Sequence, residues 1–447
     1  MPTAKKGPSR RQILKAATAA TALPLVHIRT AGAAGKISIG FWDHWVPKAN
    51  VTLRAQVMAW AAKNKVEAEI DFITSVGGKL MLTGAAQAQA KKGHDLLTFR
   101  DWEIQNHVEV LAPVDDLVKS ITAHAGEVNE VSSYLGKFKG SWRAVPSTVG
   151  SNYKGPCGRI SLLQQHAGLD VRAMYPPEPR QTVEADAWTW DAHLRAAEAC
   201  HKAGVPFAIG LGTTVDSVDT IGSLFRAYGA ELVNAKGEVM LDSDAMKQAL
   251  EHASRLVRYL PADAASYDDA SNNRALISGK SALIWNPPSA WAVAKRDAPA
   301  IAEDCWSFPA PKGPKGRFTP AGPWFWGIWS FAQNQSAAKE LVAHLMQRQA
   351  VEERVIASDG FDVPPYRNML DFPVWGEIGP PKGTLYSYPA RPFHDAVAAI
   401  AGAPAPPEIG VQIYSRGVMP SMLARLRTGQ TIPQVIAWAK HELDGFK

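Results

Sequence analysis

Apolar and polar residues alternate with two different periods along this chain, and the period switches repeatedly. Residues 36–41 (KISIGF) alternate with period two, as a strand does. Residues 53–63 (LRAQVMAWAAK) place apolar side chains at helical spacing, and 66–74 (VEAEIDFIT) alternate again. An Ala-rich helical stretch at 80–91 leads to 94–99 (HDLLTF), which reads as a buried strand. Strands interleaved with helices predict an α/β fold with a mainly parallel sheet flanked by helices. The middle continues in the same way. Thr189 is placed to cap a helix over 190–203 that Gly204 stops. A strand is expected at 206–211, helices at 220–228 and 243–260, and a short strand at 281–285. The remainder reads as helical at 336–357, 393–400 and 432–443, with Pro/Gly-rich loops at 309–323 and 376–383. No internal repeat and no low-complexity stretch is visible.

In open α/β sheets ligands bind beyond the carboxyl ends of the strands, so the residues just after each strand are the informative ones. Trp42-Asp43-His44-Trp45 follow the first strand, Arg100-Asp101-Trp102 the third, and Asn286 follows Trp285. The chain holds 15 Trp, several of them in such loops. An indole face buries the C–H patch of a pyranose ring while short polar side chains bond the hydroxyl rim, so this placement favours a stacking site for a small hydrophilic solute. Each indole taken singly favours a core position over a ligand contact by about two to one, and Trp60 and Trp438 on helical faces are expected there.

Residues 9–15 (SRRQILK), an Ala-rich stretch to Val26 and the small-residue site Ala31-Gly32-Ala33 follow the order of a twin-arginine export signal, expected to end at residue 33. The apolar stretch is too short to span a bilayer, which takes ~20 residues. Removing residues 1–33 takes away six basic and no acidic residues and leaves 42 of each sign. The net charge of +6 therefore belongs to the leader, and the cationic surplus of a nucleic-acid binder is missing. No Cys stands near the cleavage site to carry a lipid, so a freely diffusing periplasmic protein is expected. About 414 residues exceed one comfortable core, and two lobes are expected. Cys157, Cys200 and Cys305 show no metal-binding spacing and read as buried thiols.

No HExxH, GxSxG or GxGxxG motif is present, and Gly279-Lys280-Ser281 lacks the upstream Gly of a phosphate loop, Arg274 standing in its place. No cofactor and no metal are expected. Asp43 and Asp101 leave one enzymatic alternative open, a hydrolase with two carboxylates flanking a glycosidic bond. A third alternative keeps a binding fold with a polyol, amino acid or metal chelate as ligand.

Several stretches together resemble the family 1 extracellular solute-binding proteins of ABC importers, the class that includes maltose-binding protein. They are Thr189-Trp190-Asp191, the hairpin-like 227–239 (AYGAELVNAKGEV), 276–282 (LISGKSA), and 309–316 (PAPKGPKG) followed by Ala321-Gly322-Pro323-Trp324. The resemblance spans roughly residues 36–446 and departs from the family pattern at Pro323 and over 152–156. It implies two α/β lobes, 34–147 plus 282–329 and 148–281 plus 330–447, joined by three crossings and closing on a solute by hinge motion. It further implies delivery to a membrane permease, a monomeric protein and no catalysis. Trp42, Trp45 and Trp102 would form the aromatic wall of the first lobe. Asp43, His44 and Asp101 would bond hydroxyls, Trp285 and Trp324 would lie at the cleft floor, and Tyr153 and Arg391 would come from the second lobe.

Overall fold

The computed structural model describes residues 35–150, 153–176, 180–286, 289–377 and 396–446. The export signal and Arg391 lie outside them. The strands that position the site are β1 (Lys36–Trp42), β2 (Glu67–Ile73), β3 (Leu96–Arg100), β4 (Val145–Pro146), β5 (Pro156–Arg159), β6 (Leu283–Trp285), β7 (Cys305–Ser307), β8 (Gly316–Pro320), β9 (Trp324–Ile328) and β10 (Ala396–Ala399). The helices used below are α1 (Pro47–Asn64), α2 (Lys79–Ala90), α3 (Trp190–Lys202), α4 (Val215–Tyr228), α5 (Ser271–Ile277), α6 (Gln335–Leu345), α7 (Arg348–Ala357), α8 (Pro407–Ser415), α9 (Val418–Arg427) and α10 (Ile432–Asp444).

The fold has two α/β lobes. The first is built on a five-stranded sheet, β2-β1-β3-β9-β4. Its first three strands are parallel and arise from the alternating segments at the start of the chain. β9 and β4 join antiparallel, so the sheet is mixed rather than parallel throughout. The second lobe carries β6-β5-β7, which is antiparallel. Thr189 caps α3 as expected, its hydroxyl accepting the Ala192 N–H at 3.2 Å. Cys157, Cys200 and Cys305 are all buried free thiols. Among the described residues no helix is long and apolar enough to cross a membrane.

Four expectations need correction. First, 283–285 and 305–307 pair with 156–159, so the chain does not leave the second lobe near Ala282; it rejoins the first sheet only at Trp324. Second, α6 and α7 pack on α1, so the residues just after Ser330 stay with the first lobe, while α9 and α10 pack with the second. The passage back falls beyond residue 357, because the apolar faces of α6 and α7 are buried against the first sheet's helices. Third, Ala396–Ala399 is a strand paired in parallel with β8, not a helix: an Ala-rich segment takes the conformation its neighbour's ladder imposes. Fourth, the expected strand at 206–211 contributes only a bridge, Ala208 to Ile284.

Described stretches on the way between the sheets lie close together, residues 147–150, 153–155 and 321–323. Asp101 N–H donates to Pro323 O (2.8 Å), Ser147 N–H to Trp324 O (2.8 Å) and Lys154 N–H to Pro320 O (2.7 Å), which ties these stretches into one band.

Candidate functional site

A cavity opens where this band meets the ends of both sheets. Its empty volume is about 490 Å³ including its open mouth, and it continues into a wider chamber of about 1440 Å³ that shares Ser75, Arg100 and Asp269. The first lobe contributes Trp42, Trp45, Ser75, Arg100, Trp324 and Phe361. Lys154, Asp216, Asp269, Asn273, Asn286 and Ser289 line the opposite side.

The strand ends place the first wall. Trp42 closes β1 and donates its indole N–H to Ser75 Oγ (3.2 Å). Trp324 opens β9 and stacks on Trp42, centroids 4.3 Å apart at 29°. Phe361 packs against Trp42 from 6.0 Å. Both indoles are nearly enclosed, 2% and 6% exposed, so they present edges to the cavity and spend their faces largely on each other. Arg100 ends β3 with its guanidinium over Trp324 at 5.8 Å. Its Nε donates to Asp101 Oδ2 (3.1 Å); among the described residues its two Nη atoms find no hydrogen-bond partner and remain available to the cavity. Burial works against the Arg100 charge, but the carboxylates of Asp269, Asp101 and Glu103 outweigh it and hold its pKa above the ordinary value.

The opposite wall rests on helix starts. Asp216 sits in the first turn of α4, where carboxylates suit the helix dipole, and its Oδ2 accepts from Asn272 Nδ2 at 2.9 Å. Asn273, on α5, accepts from Asn286 Nδ2 through its Oδ1 (2.9 Å). Beneath the cavity lies a buried ion cluster. Lys154 Nζ is 2.6 Å from Asp219 Oδ2 and 3.7 Å from Asp101 Oδ2. Burial alone would lower the Lys154 pKa; Asp101 and Asp219 reverse that and keep it charged. Burial pushes Asp219 up to about 7 although Lys154 pulls it down, and burial raises Asp216 as well. Glu103, in the wider chamber, is pushed up to about 7 by the same cause, with Arg100 opposing it.

The expected site residues are thus divided. Trp42, Trp45 and Trp324 reach one cavity. Asp43 does not: it is exposed and accepts from Asn50 Nδ2 (2.7 Å) within its own loop. His44 is buried with both ring nitrogens occupied. Nδ1 accepts the Val46 N–H (2.8 Å), which puts the proton on Nε2, donated to Asp362 Oδ1 (3.0 Å). Asp101 adopts φ 46°, turns beneath the floor and is 1% exposed among cations. Trp102 is fully enclosed, donates to Ala401 O (2.8 Å) and fits against Gly410, where a Cβ would meet it at 2.3 Å. Trp285 stacks on Trp190 (5.5 Å, 8°) inside the second lobe. Tyr153 packs on the core rather than on the cavity wall. Trp102→Phe should therefore lower stability by about 2 kcal/mol, from lost ring volume and an unsatisfied carbonyl, as read in urea melts. Ser75, Lys154, Asp216, Asp269, Asn273, Ser289 and Phe361 were not foreseen, and Arg100 was noted only as a neighbour of the third strand. Arg100 was findable as the last residue of a strand; the others carry no local motif.

Residues 48–352 match the family model described as bacterial extracellular solute-binding protein. No curated protein sequence matches the chain. Among solved structures, maltose-bound MalE3 of T. maritima aligns with TM-score 0.71 and 19% identity over 93% of this chain and 100% of that one. The GacH receptor of Streptomyces glaucescens, described unliganded and with acarbose, gives 0.67 and 18% over 93% and 98%. A sugar transporter from Arthrobacter chlorophenolicus with bound laminaribiose gives 0.69 and 15% over 92% and 99%. At these identities the likeness is one of fold.

Proposed function

Because the chain belongs to the bacterial extracellular solute-binding proteins, matched over residues 48–352, we propose that it captures a sugar or related polyhydroxylated solute between its lobes and hands it to a membrane permease of an ABC importer. Export to the periplasm, with residues 1–33 removed, belongs to the same reading. The observation that carries it is the make-up of the cavity. Aromatic surface from Trp42, Trp45, Trp324 and Phe361 lies beside the free Nη groups of Arg100, with the carboxylates of Asp216 and Asp269 across from them. A hydroxyl both donates and accepts, so a ring of hydroxyls satisfies a wall of fork-shaped donors and a wall of carboxylates at once. The maltose, acarbose and laminaribiose named with the structural neighbours are ligands of this chemical kind. Capture without chemistry is favoured over hydrolysis by Asp43 and Asp101, since one is exposed and the other is locked beneath the floor.

Closure requires the solute to bind the closed state better than the open one, and residues 147–150 and 153–155 with 321–323 belong to the band that would bend. Thermal-shift screening of monosaccharides, disaccharides and polyols tests the proposal. A true ligand at 100 times its dissociation constant adds about 2.7 kcal/mol to stability and raises the melting temperature. Recovery of that ligand intact supports capture. Release of cleaved product, or no shift from any member of the panel, overturns it.

A further inference from the structure

Among the described residues the ion pairs around the cavity leave acids over and no cations. Its two cations are already committed: Arg100 to Asp101 at 3.1 Å, and Lys154 to Asp219 at 2.6 Å and Asp101 at 3.7 Å. Asp101 and Asp219 are 1% exposed and lie behind the wall, so these contacts are in place before any solute enters. In the adjoining chamber Arg274 is likewise paired with Asp268, at 2.7 Å. The acids facing the space fare differently. Asp216 has only the amide of Asn272, and Glu103 only the backbone N–H of Arg100. Asp269 has no hydrogen bond and, like the other two, no ion pair within 4 Å among the described residues; it acts on Arg100 through space alone. Among the described residues the walls thus hold three carboxyl groups with no cation within 4 Å, and no cation that lacks such a partner.

A neutral sugar would seal this excess into a dry cleft. Enclosing an ionised carboxylate without a counter-charge carries a penalty of several kcal/mol, and burial already raises the pKa of Asp216 and Glu103. A cation on the solute removes it. The charge-assisted hydrogen bonds that result are about twice as strong as neutral ones. Resting on the proposed capture of a hydroxylated solute, we infer that the solute also carries a protonated amine, seated against Asp216 and Asp269, an amino sugar being the simplest compound that meets both demands.

Calorimetry on the full mature protein at neutral pH tests this with matched trios of hexose, hexosamine and N-acetylhexosamine in the gluco, galacto and manno series. The expected result is a hexosamine bound at least ~tenfold more tightly than its neutral partners, the value of one good charge-assisted contact. Asp269→Asn and Asp216→Asn should each shrink that ratio, and the double variant should bring it near one. Equal or tighter binding of the neutral hexose overturns the amine inference and leaves sugar capture standing. A preference that survives the double variant also overturns it, because the ammonium then sits elsewhere. Tight binding of a simple diamine such as putrescine, with no member of the trios bound, overturns sugar capture instead and keeps the cation site.

Discussion

Lys154→Met is expected to lower stability by about 3–5 kcal/mol at pH 8 and by far less at pH 5. The ammonium holds together two buried carboxylates from different parts of the chain, Asp101 at the end of β3 and Asp219 on α4. Removing one partner of a buried ion cluster leaves the remaining charges enclosed without compensation, which is the source of that magnitude. The pH dependence follows from the direction of the Asp219 shift. Burial raises its folded pKa to about 7 from an ordinary 3.8, even with Lys154 opposing. A carboxyl raised on folding favours the folded state fully below its unfolded value, and that stability drains away as pH rises through the folded value. Without the ammonium the folded value moves higher still, so the variant keeps losing stability at pH values where the parent has levelled off. Below about pH 4 Asp219 is protonated in the folded state and increasingly so in the unfolded one, so the gap between parent and variant is smallest there. Urea melts across pH 4–8 should show the gap between parent and variant widening with pH. A second change, Asp219→Asn, should restore part of the loss at pH 8. A gap that stays constant with pH, or a double variant no more stable than the single, would show that Lys154 acts by packing alone.

This cluster also marks the limit of what the chain discloses in one dimension. The opening strands and helices were legible because their apolar residues keep one period over a whole element, with each face buried against a different layer. Trp324–Ile328 was not. All five of its residues are buried, it is paired on both sides, and an unbroken apolar run of that length has no period to read. Pro156–Arg159 was hidden by its Pro and Gly, and Ala396–Ala399 by an Ala-rich composition that a neighbouring strand overrides. The cavity was half legible for a related reason. The rule of strand ends leads to Trp42, Arg100 and Asn286, all of which reach it. Resolution is lost one residue later. After β3, Arg100 faces the cavity, Asp101 turns under the floor at φ 46°, and Trp102 descends into the core. Three neighbours in sequence thus serve three environments, which no periodicity predicts. Asp216, Asp269 and Asn273 come from the first turns of two helices and the loop before one of them, without a spacing that sets them apart from ordinary capping residues.

Gly150→Ala is expected to cost about 3 kcal/mol and to abolish solute binding, whereas Gly140→Ala costs about 1 kcal/mol and leaves binding intact. Both glycines have the left-handed φ that a side chain disfavours, 88° and 82°. Each substitution therefore carries a backbone penalty of roughly 1–2 kcal/mol. Their surroundings differ. Nothing lies within 4 Å of a Cβ at Gly140, while a Cβ at Gly150 would fall 2.2 Å from Trp324 Cδ1 and 2.4 Å from its Nε1. The indole cannot step back, because Trp42 is stacked on it at 4.3 Å. Nor can the backbone, because Gly150 N–H donates to Asp362 Oδ1 at 2.6 Å and its carbonyl accepts from Val363 N–H at 3.0 Å. The same Asp362 oxygen receives His44 Nε2–H, so a shift there passes to the loop after β1 that carries Trp45. Overpacking of about 1–3 kcal/mol adds to the backbone term, and the displaced indoles take the first wall of the cavity with them. Because Gly150 lies in the stretch that passes between the sheets, the substitution also stiffens the segment proposed to bend. Side-by-side calorimetry and urea melts of the two variants decide the matter. If Gly150→Ala binds the parent's solute as tightly as Gly140→Ala does, the Trp42–Trp324 stack is scaffold and not part of the solute's seat.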